Sequence, residues 1–103
     1  MATSSQPAAS QANVPVQVTS LFGQDPTSGA VTFAVTAPGA ACPTTFPNTA
    51  SWSTDAQGRH WALCPTGPSG PYTPTAGSTV WYWVKFTAGT ETPIVGPVQW
   101  TFI

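Results

Sequence analysis

Hydrophobic and polar residues alternate along four stretches of this chain with a period of two residues. The alternating hydrophobic positions are Val14, Val16 and Val18; Val31, Phe33 and Val35; Val80, Tyr82, Val84 and Phe86; and Val98, Trp100 and Phe102. A period of two places alternate side chains on one face of an extended strand. No stretch of ten residues has the period of an amphipathic helix. The pattern therefore predicts half-buried β-strands.

Segments rich in Gly, Pro, Asp and Ser separate these stretches and predict turns. They lie at residues 23–29, 37–39, 65–71, 92–93 and 96–97. Two more short strands are predicted at residues 50–54 and 59–64, joined by a hairpin turn at residues 55–58. Six or seven short strands at this spacing are typical of an antiparallel β-sandwich. We therefore expect an all-β sandwich of about seven strands.

The strand predicted at residues 78–87 decides which aromatic side chains face outward. One of its faces carries Val80, Tyr82, Val84 and Phe86, and the other carries Trp81, Trp83 and Lys85. Burying an unpaired lysine is costly, so we expect Trp81 and Trp83 to face outward, about 7 Å apart. Two adjacent outward indoles form an apolar patch of the kind that marks a binding surface.

The chain of 103 residues is long enough for one domain. Residues 1–13 are small and polar, and we expect them to form a flexible Ser/Ala/Pro linker before a single β-sandwich binding module at residues 14–103. This composition is typical of tethers in secreted proteins, and we expect an extracellular location.

A disulfide between Cys42 and Cys64 would close a loop of about 20 residues and stabilise the fold by about 3 kcal/mol. The alternative is two separate buried thiols.

Charged residues make up only 5% of the chain, whereas about 25% is typical of soluble domains. Lys85 and Arg59 are the only cations, too few for a basic patch that could neutralise phosphates. We therefore expect neither nucleic acid nor an anionic membrane as a partner. The longest apolar run, at residues 80–84, is also far shorter than the roughly 20 residues of a membrane-spanning helix.

Groups capable of acid–base chemistry are few: His60, Asp25, Asp55 and Glu91. We expect Asp25 and Glu91 to lie in turns, which leaves no evident pair of carboxylates for glycoside hydrolysis. A zinc site needs three or four ligands, more than His60 and two paired cysteines supply. The sequence therefore predicts no catalysis, no metal and no cofactor.

Tryptophan is the abundant residue, at positions 52, 61, 81, 83 and 100. An indole offers a flat apolar face for a sugar ring, and nearby polar groups can orient the sugar hydroxyls. We expect Trp100 to fill the core, and leave both roles open for Trp52 and Trp61. Asp55 and Arg59 flank the predicted hairpin turn, where they either bind neighbouring sugar hydroxyls or form a solvated turn pair.

Three segments resemble the β-1,3-glucan recognition modules of carbohydrate-binding module family 39. They are Ser-Trp-Ser-Thr-Asp at residues 51–55, Gly-Arg-His-Trp at residues 58–61, and Gly-Ser-Thr-Val-Trp-Tyr-Trp-Val at residues 77–84, followed by Gln-Trp-Thr-Phe at residues 99–102. The resemblance covers residues 51–103. It implies an immunoglobulin-like sandwich in which Trp52, Asp55, Arg59 and Trp61 bind the glucan.

The sequence thus predicts a secreted, non-catalytic carbohydrate-binding module that recognises a polysaccharide, a β-glucan, through exposed tryptophans. In a longer protein it could be joined to a catalytic domain. The alternative is an immunoglobulin-like or fibronectin-like spacer, or a self-assembling surface domain, whose tryptophans are buried. The exposure of Trp81 and Trp83 separates the two hypotheses.

Overall fold

The computed structural model describes residues 5–7, 9, 11–18, 27, 29–87, 90 and 92–103. Its strands are β1 (Ser5–Gln6), β2 (Ala12–Val18), β3 (Val31–Thr36), β4 (Asn48–Thr49), β5 (Ser51–Thr54), β6 (His60–Thr66), β7 (Thr79–Phe86) and β8 (Ile94–Phe102). The described part of the chain contains no α-helix. Within those same residues, no helix is long and apolar enough to cross a membrane.

The strands form two sheets that pack against each other. One sheet has five strands in the order β1-β8-β7-β3-β4, and the other has three in the order β2-β6-β5. Every pairing is antiparallel except that of β1 with β8. The prediction of an all-β antiparallel sandwich is confirmed. Strand β1 lies inside the segment predicted as a linker, where Ser5 pairs with Thr101.

The core lies between the two sheets and contains the alternating hydrophobic residues of the sequence. Its buried members include Val14, Val16 and Val18 from β2, Phe33 from β3, Ala62 and Cys64 from β6, Tyr82, Val84 and Phe86 from β7, and Phe102 from β8. Burying a large apolar side chain contributes about 1.5–3 kcal/mol. The buried Tyr82 hydroxyl is 2.7 Å from Thr66 Oγ1, so both hydroxyls have a hydrogen-bond partner.

The register of β7 is as predicted. Its residues alternate between half-buried and buried along the whole strand, with Val80, Tyr82, Val84 and Phe86 facing the core. Trp81 and Trp83 therefore face outward. Trp100 packs against the core, as expected, from the adjacent strand β8.

The predicted disulfide is wrong. Cys42 is an exposed free thiol in the segment between β3 and β4, whereas Cys64 is a free thiol buried in the core on β6. The alternation of β6 turns Cys64 toward the opposite sheet, between the buried Ala62 and Thr66. Burial raises the pKa of the Cys64 thiol to about 12. The alternative of two buried thiols is also wrong for Cys42.

The proline-rich loop at residues 65–74 closes one end of the core. Tyr72 in this loop packs edge-on against the ring of Tyr82 and at a tilt against that of Phe102, with 6.2 Å between ring centroids in both pairs. These contacts lie on the inner face of the five-stranded sheet, opposite to Trp81 and Trp83. Asp25 and Glu91, which we predicted to lie in turns, are outside the described residues.

Candidate functional site

Trp81 and Trp83 lie on the outer face of the five-stranded sheet, and both are half-buried. Trp81 pairs with Thr36 on β3 and with Gln99 on β8. Trp83 pairs with Ala34 on β3. Side chains directly opposite each other on paired strands share one face of the sheet, so the side chains directly opposite the two indoles are short or uncharged.

The Trp83 indole lies across the sheet and is held on both sides. Its Nε1 donates a 3.0 Å hydrogen bond to Thr36 Oγ1 on β3. On the β8 side its Cε3 lies close to Gly96, where an added Cβ would be only 3.3 Å away. Ala34 is buried although it faces outward, as expected for a small residue beside a flat indole. Trp83 thus forms a floor on the sheet.

Gly96 permits this arrangement. Strand β8 has one extra residue between Val95 and Val98 relative to the Tyr82 and Val84 positions of β7, which makes a β-bulge. Gly96 has a φ of +140°, and a Cβ there would lie 2.8 Å from the Tyr82 carbonyl oxygen. Only glycine fits both the backbone conformation and the close approach of the neighbouring strand.

The Trp81 indole stands at an angle to the Trp83 indole. Their ring centroids are 6.3 Å apart and their planes meet at 64°, an edge-to-face contact. We call the angled pair the Trp81–Trp83 corner. No acceptor among the described residues partners Trp81 Nε1.

Lys85 extends the same row of outward side chains. Its Nζ lies 5.5 Å from the centroid of the Phe46 ring, in cation–π geometry. Phe46 belongs to the segment that leads into β4 and reaches over this end of the sheet. The corner is therefore bordered at one end by a cation resting on an aromatic ring.

A second group of predicted residues lies at the β5–β6 hairpin. Asp55 Oδ2 accepts hydrogen bonds from Arg59 Nε at 2.7 Å and from Trp61 Nε1 at 3.0 Å. Asp55 Oδ1 accepts two further bonds, from the backbone N–H groups of Gln57 and Arg59, each 2.9 Å long. The carboxylate thus organises the turn and fixes the direction of the Trp61 ring.

The electrostatics of this hairpin group favour an ionised carboxylate. The Trp61 indole N–H has the largest effect on the pKa of Asp55, which is lowered from 3.8 to about 2. Removal from water opposes this shift, and the N–H groups of Arg59 and the backbone N–H of Gln57 add to it. The Arg59 guanidinium carbon lies 5.7 Å from the Trp61 ring centroid. Its cation therefore contacts both the carboxylate and the ring.

Trp61 lies on the outer face of the three-stranded sheet. It pairs with Gln17 on β2 and Ser53 on β5, two exposed polar residues that the sequence did not single out. His60, next to Trp61, is half-buried, and its Nδ1 lies 3.0 Å from Thr54 Oγ1. On the face that carries Trp61, the polar neighbours of the hairpin group are therefore Gln17 and Ser53, whereas His60 belongs to the alternate face of β6.

Trp52 belongs to neither group. It packs against the core, where its ring meets Phe86 edge-on at 5.7 Å between centroids. Its Nε1 donates a 2.8 Å hydrogen bond to the carbonyl oxygen of Gly29. The structure thus brings Trp81 together with Trp83 on one outer face and Asp55, Arg59 and Trp61 together on the other, and it turns Trp52 inward.

Among the residues that the structure describes, no three His, Cys, Asp or Glu side chains come together in a group that could hold a metal ion.

Comparisons with protein-family models, curated proteins and solved structures found no match to this chain.

Proposed function

We propose that this protein is a non-catalytic carbohydrate-binding module that recognises a β-glucan through the Trp81–Trp83 corner. The observation that carries the proposal is the outward, half-buried position of both indoles on a sheet face with few charges. Indoles at this position can stack on the apolar faces of sugar rings without a large change in their own conformation.

Polar groups beside the corner support the proposal. The Thr36 hydroxyl, which accepts from Trp83 Nε1, keeps its own hydrogen for donation to a sugar oxygen. The exposed Gln99 amide lies opposite Trp81 and offers both a donor and an acceptor. A few fixed polar groups around an aromatic surface are the usual composition of a small-molecule site.

The hairpin group is a second candidate surface for the same ligand class. It contains Asp55, Arg59 and Trp61, three of the four residues that the family resemblance implies. The Asp55 oxygens and Trp61 Nε1 already bond to each other and to the turn, so a sugar would have to use the ring face or the remaining Arg59 donors. We therefore assign the principal site to the Trp81–Trp83 corner.

We also infer an immunoglobulin-like topology for the sandwich. In such domains a sheet with strands B, E and D packs on a sheet with strands C, F and G, which variable-type domains extend by C′. The order β2-β6-β5 corresponds to B-E-D, and the order β4-β3-β7-β8 corresponds to C′-C-F-G. This correspondence supports the fold that the family resemblance implies.

The test is a pull-down of the purified protein with insoluble curdlan, cellulose, chitin and starch. The double variant Trp81→Ala/Trp83→Ala is compared with Trp61→Ala, which removes one indole from the opposite face. Circular dichroism verifies that both variants fold. We expect binding to a β-glucan that the double variant loses and Trp61→Ala retains. The reverse pattern would move the site to the hairpin group.

If the protein binds none of the four polymers, the proposal is overturned, and a structural spacer or self-assembling domain is favoured. One observation argues against assembly through the β2 edge of the three-stranded sheet. Pro15 lies in the middle of edge strand β2, and an edge proline blocks pairing with a further strand. Sedimentation of the protein at increasing concentration would then measure self-association directly.

A further inference from the structure

The angle between the two indoles restricts the shape of a ligand that can contact both. Trp83 lies across the sheet as a floor, and the Trp81 plane meets it at 64°. A flat surface that lay on the Trp83 ring would collide with Trp81 or leave its face uncovered. Two aromatic rings serve a flat surface together only when their planes nearly coincide.

The Trp83 indole cannot easily rotate to bring its plane parallel to that of Trp81. The hydrogen bond to Thr36 fixes one side of the Trp83 indole, and the close contact with Gly96 fixes the other. Trp81 packs edge-to-face on the floor, a preferred geometry for an aromatic pair that is worth about 0.5–1.5 kcal/mol when the rings pack well. A coplanar arrangement would lose the edge-to-face packing if Trp81 turned, and the Thr36 and Gly96 contacts as well if Trp83 turned.

We propose that the Trp81–Trp83 corner binds a single, twisting β-glucan chain in solution and discriminates against the flat face of a crystalline polymer. This inference rests on the proposed function and specifies its ligand. A free chain can present one sugar face to the floor and turn the next unit toward the second indole. Trp81 Nε1, with no acceptor among the described residues, then donates to a hydroxyl of the bound chain.

The uncharged character of the corner agrees with a neutral chain. Thr36, Ala34 and Gln99 border the indoles and carry no charge, and the cation of Lys85 rests on Phe46 at the end of the row. Recognition thus depends on the shape of the chain and on hydroxyl contacts.

The experiment uses three materials, of which the two celluloses have one chemistry in two physical forms and laminarin is a soluble β-1,3-glucan. Calorimetry measures binding to soluble laminarin, and depletion isotherms measure binding to microcrystalline cellulose and to swollen, non-crystalline cellulose prepared from it. We expect binding to swollen cellulose to be about tenfold or more tighter than binding to microcrystalline cellulose, a difference of about 1.4 kcal/mol. This comparison needs no variant and so does not depend on the folding of one.

The outcomes separate the inference from the proposed function. Binding to microcrystalline cellulose that is as tight as, or tighter than, binding to swollen cellulose would overturn the inference while leaving polysaccharide binding in place. Absence of binding to all three materials would overturn both.

Variants test the role of the Trp81 ring, which stands at an angle to the Trp83 floor. Trp81→Ala removes this ring, and we expect the affinity for laminarin or swollen cellulose to fall about tenfold. Trp81→Phe keeps an aromatic ring, and we expect a smaller loss of affinity. Ser69→Ala, an exposed change in the loop at residues 65–74, is the control and should leave affinity unchanged. Unchanged affinity in a folded Trp81→Ala protein would contradict a role for the Trp81 ring in binding.

Discussion

Trp83 Nε1 donates a 3.0 Å hydrogen bond to Thr36 Oγ1 across two paired strands of the five-stranded sheet. Because it joins two outward side chains, this bond contributes to the position of an indole more than to the core. It therefore links the local register of β3 and β7 to the shape of the candidate binding surface.

Replacing Thr36 by Val removes the acceptor while keeping the shape of the side chain. We expect the free energy of unfolding to fall by about 0.5–1.5 kcal/mol, and polysaccharide affinity to fall several-fold because the floor loses one of its two constraints. Urea unfolding and calorimetry measure the two effects. Thr79→Val is the matched control, since it removes a 3.1 Å hydroxyl contact with Thr101 on the same sheet without touching Trp83. Equal affinity losses in the two variants would contradict a specific role for Thr36.

Gly96→Ala tests the other constraint on Trp83. The new Cβ would lie 2.8 Å from the Tyr82 carbonyl oxygen and 3.3 Å from Trp83 Cε3, at a φ of +140°. We expect a loss of about 2 kcal/mol or more of unfolding free energy and a changed Trp fluorescence spectrum. Gly39→Ala is the control, because its φ is +87° but nothing lies within 4 Å of the added Cβ. A Gly96→Ala loss no larger than that of Gly39→Ala would show that the contact with the sheet is unimportant.

The alternation of side chains predicted much of this face. The inward positions of Val31, Phe33 and Val35 already place Thr36 outward, and the same reasoning places Trp81 and Trp83 outward. Sequence alone did not reveal which outward residues become neighbours, since that depends on strand pairing across distant parts of the chain. Thr36 is 47 residues from Trp83, and no local pattern encodes that register.

What sequence reasoning left open or predicted wrongly has equally physical causes. Trp52 and Trp61 flank one turn, but their pairing partners are Ala62 and Ser53 on opposite faces of the hairpin, so the two indoles point in opposite directions. Cys42 and Cys64 suggested a disulfide by their number alone. The orientation of Cys64 toward the core was implicit in the alternation of β6, but the exposed position of Cys42 depends on a loop with no periodic pattern.

The two core-packed tryptophans should respond differently to replacement by Phe. Trp52 Nε1 donates a 2.8 Å hydrogen bond to the Gly29 carbonyl, whereas the buried Trp100 Nε1 has no partner among the described residues. Both variants lose indole packing, but only Trp52→Phe loses a hydrogen bond. We expect Trp52→Phe to be more destabilising by about 1 kcal/mol in urea unfolding. Equal losses would mean that Trp100 Nε1 is also satisfied in solution.

The two thiols should differ in reactivity. In the native protein we expect an aromatic disulfide reagent to modify Cys42 rapidly, because it is exposed. Cys64 should stay unmodified at neutral pH, since burial raises its pKa to about 12 and blocks access. Both thiols should react in denaturant. Cys42→Ser is the control and should abolish the native reaction. No reactive thiol in denaturant without reductant would instead indicate a disulfide.

Asp55 should make stability depend on pH in the acid range. Its pKa is about 2 in the folded protein, below the ordinary 3.8, chiefly because the Trp61 indole N–H bonds to the carboxylate. A lowered folded-state pKa stabilises the fold above the unfolded-state pKa, and this contribution is lost as pH falls from about 3.8 toward 2. Thermal unfolding of the wild type should therefore lose more stability over this window than Asp55→Asn, which cannot ionise. The other carboxylates affect both proteins alike, so the difference isolates Asp55. Parallel pH profiles would show that the bonds from Trp61 and Arg59 to Asp55 do not persist in solution.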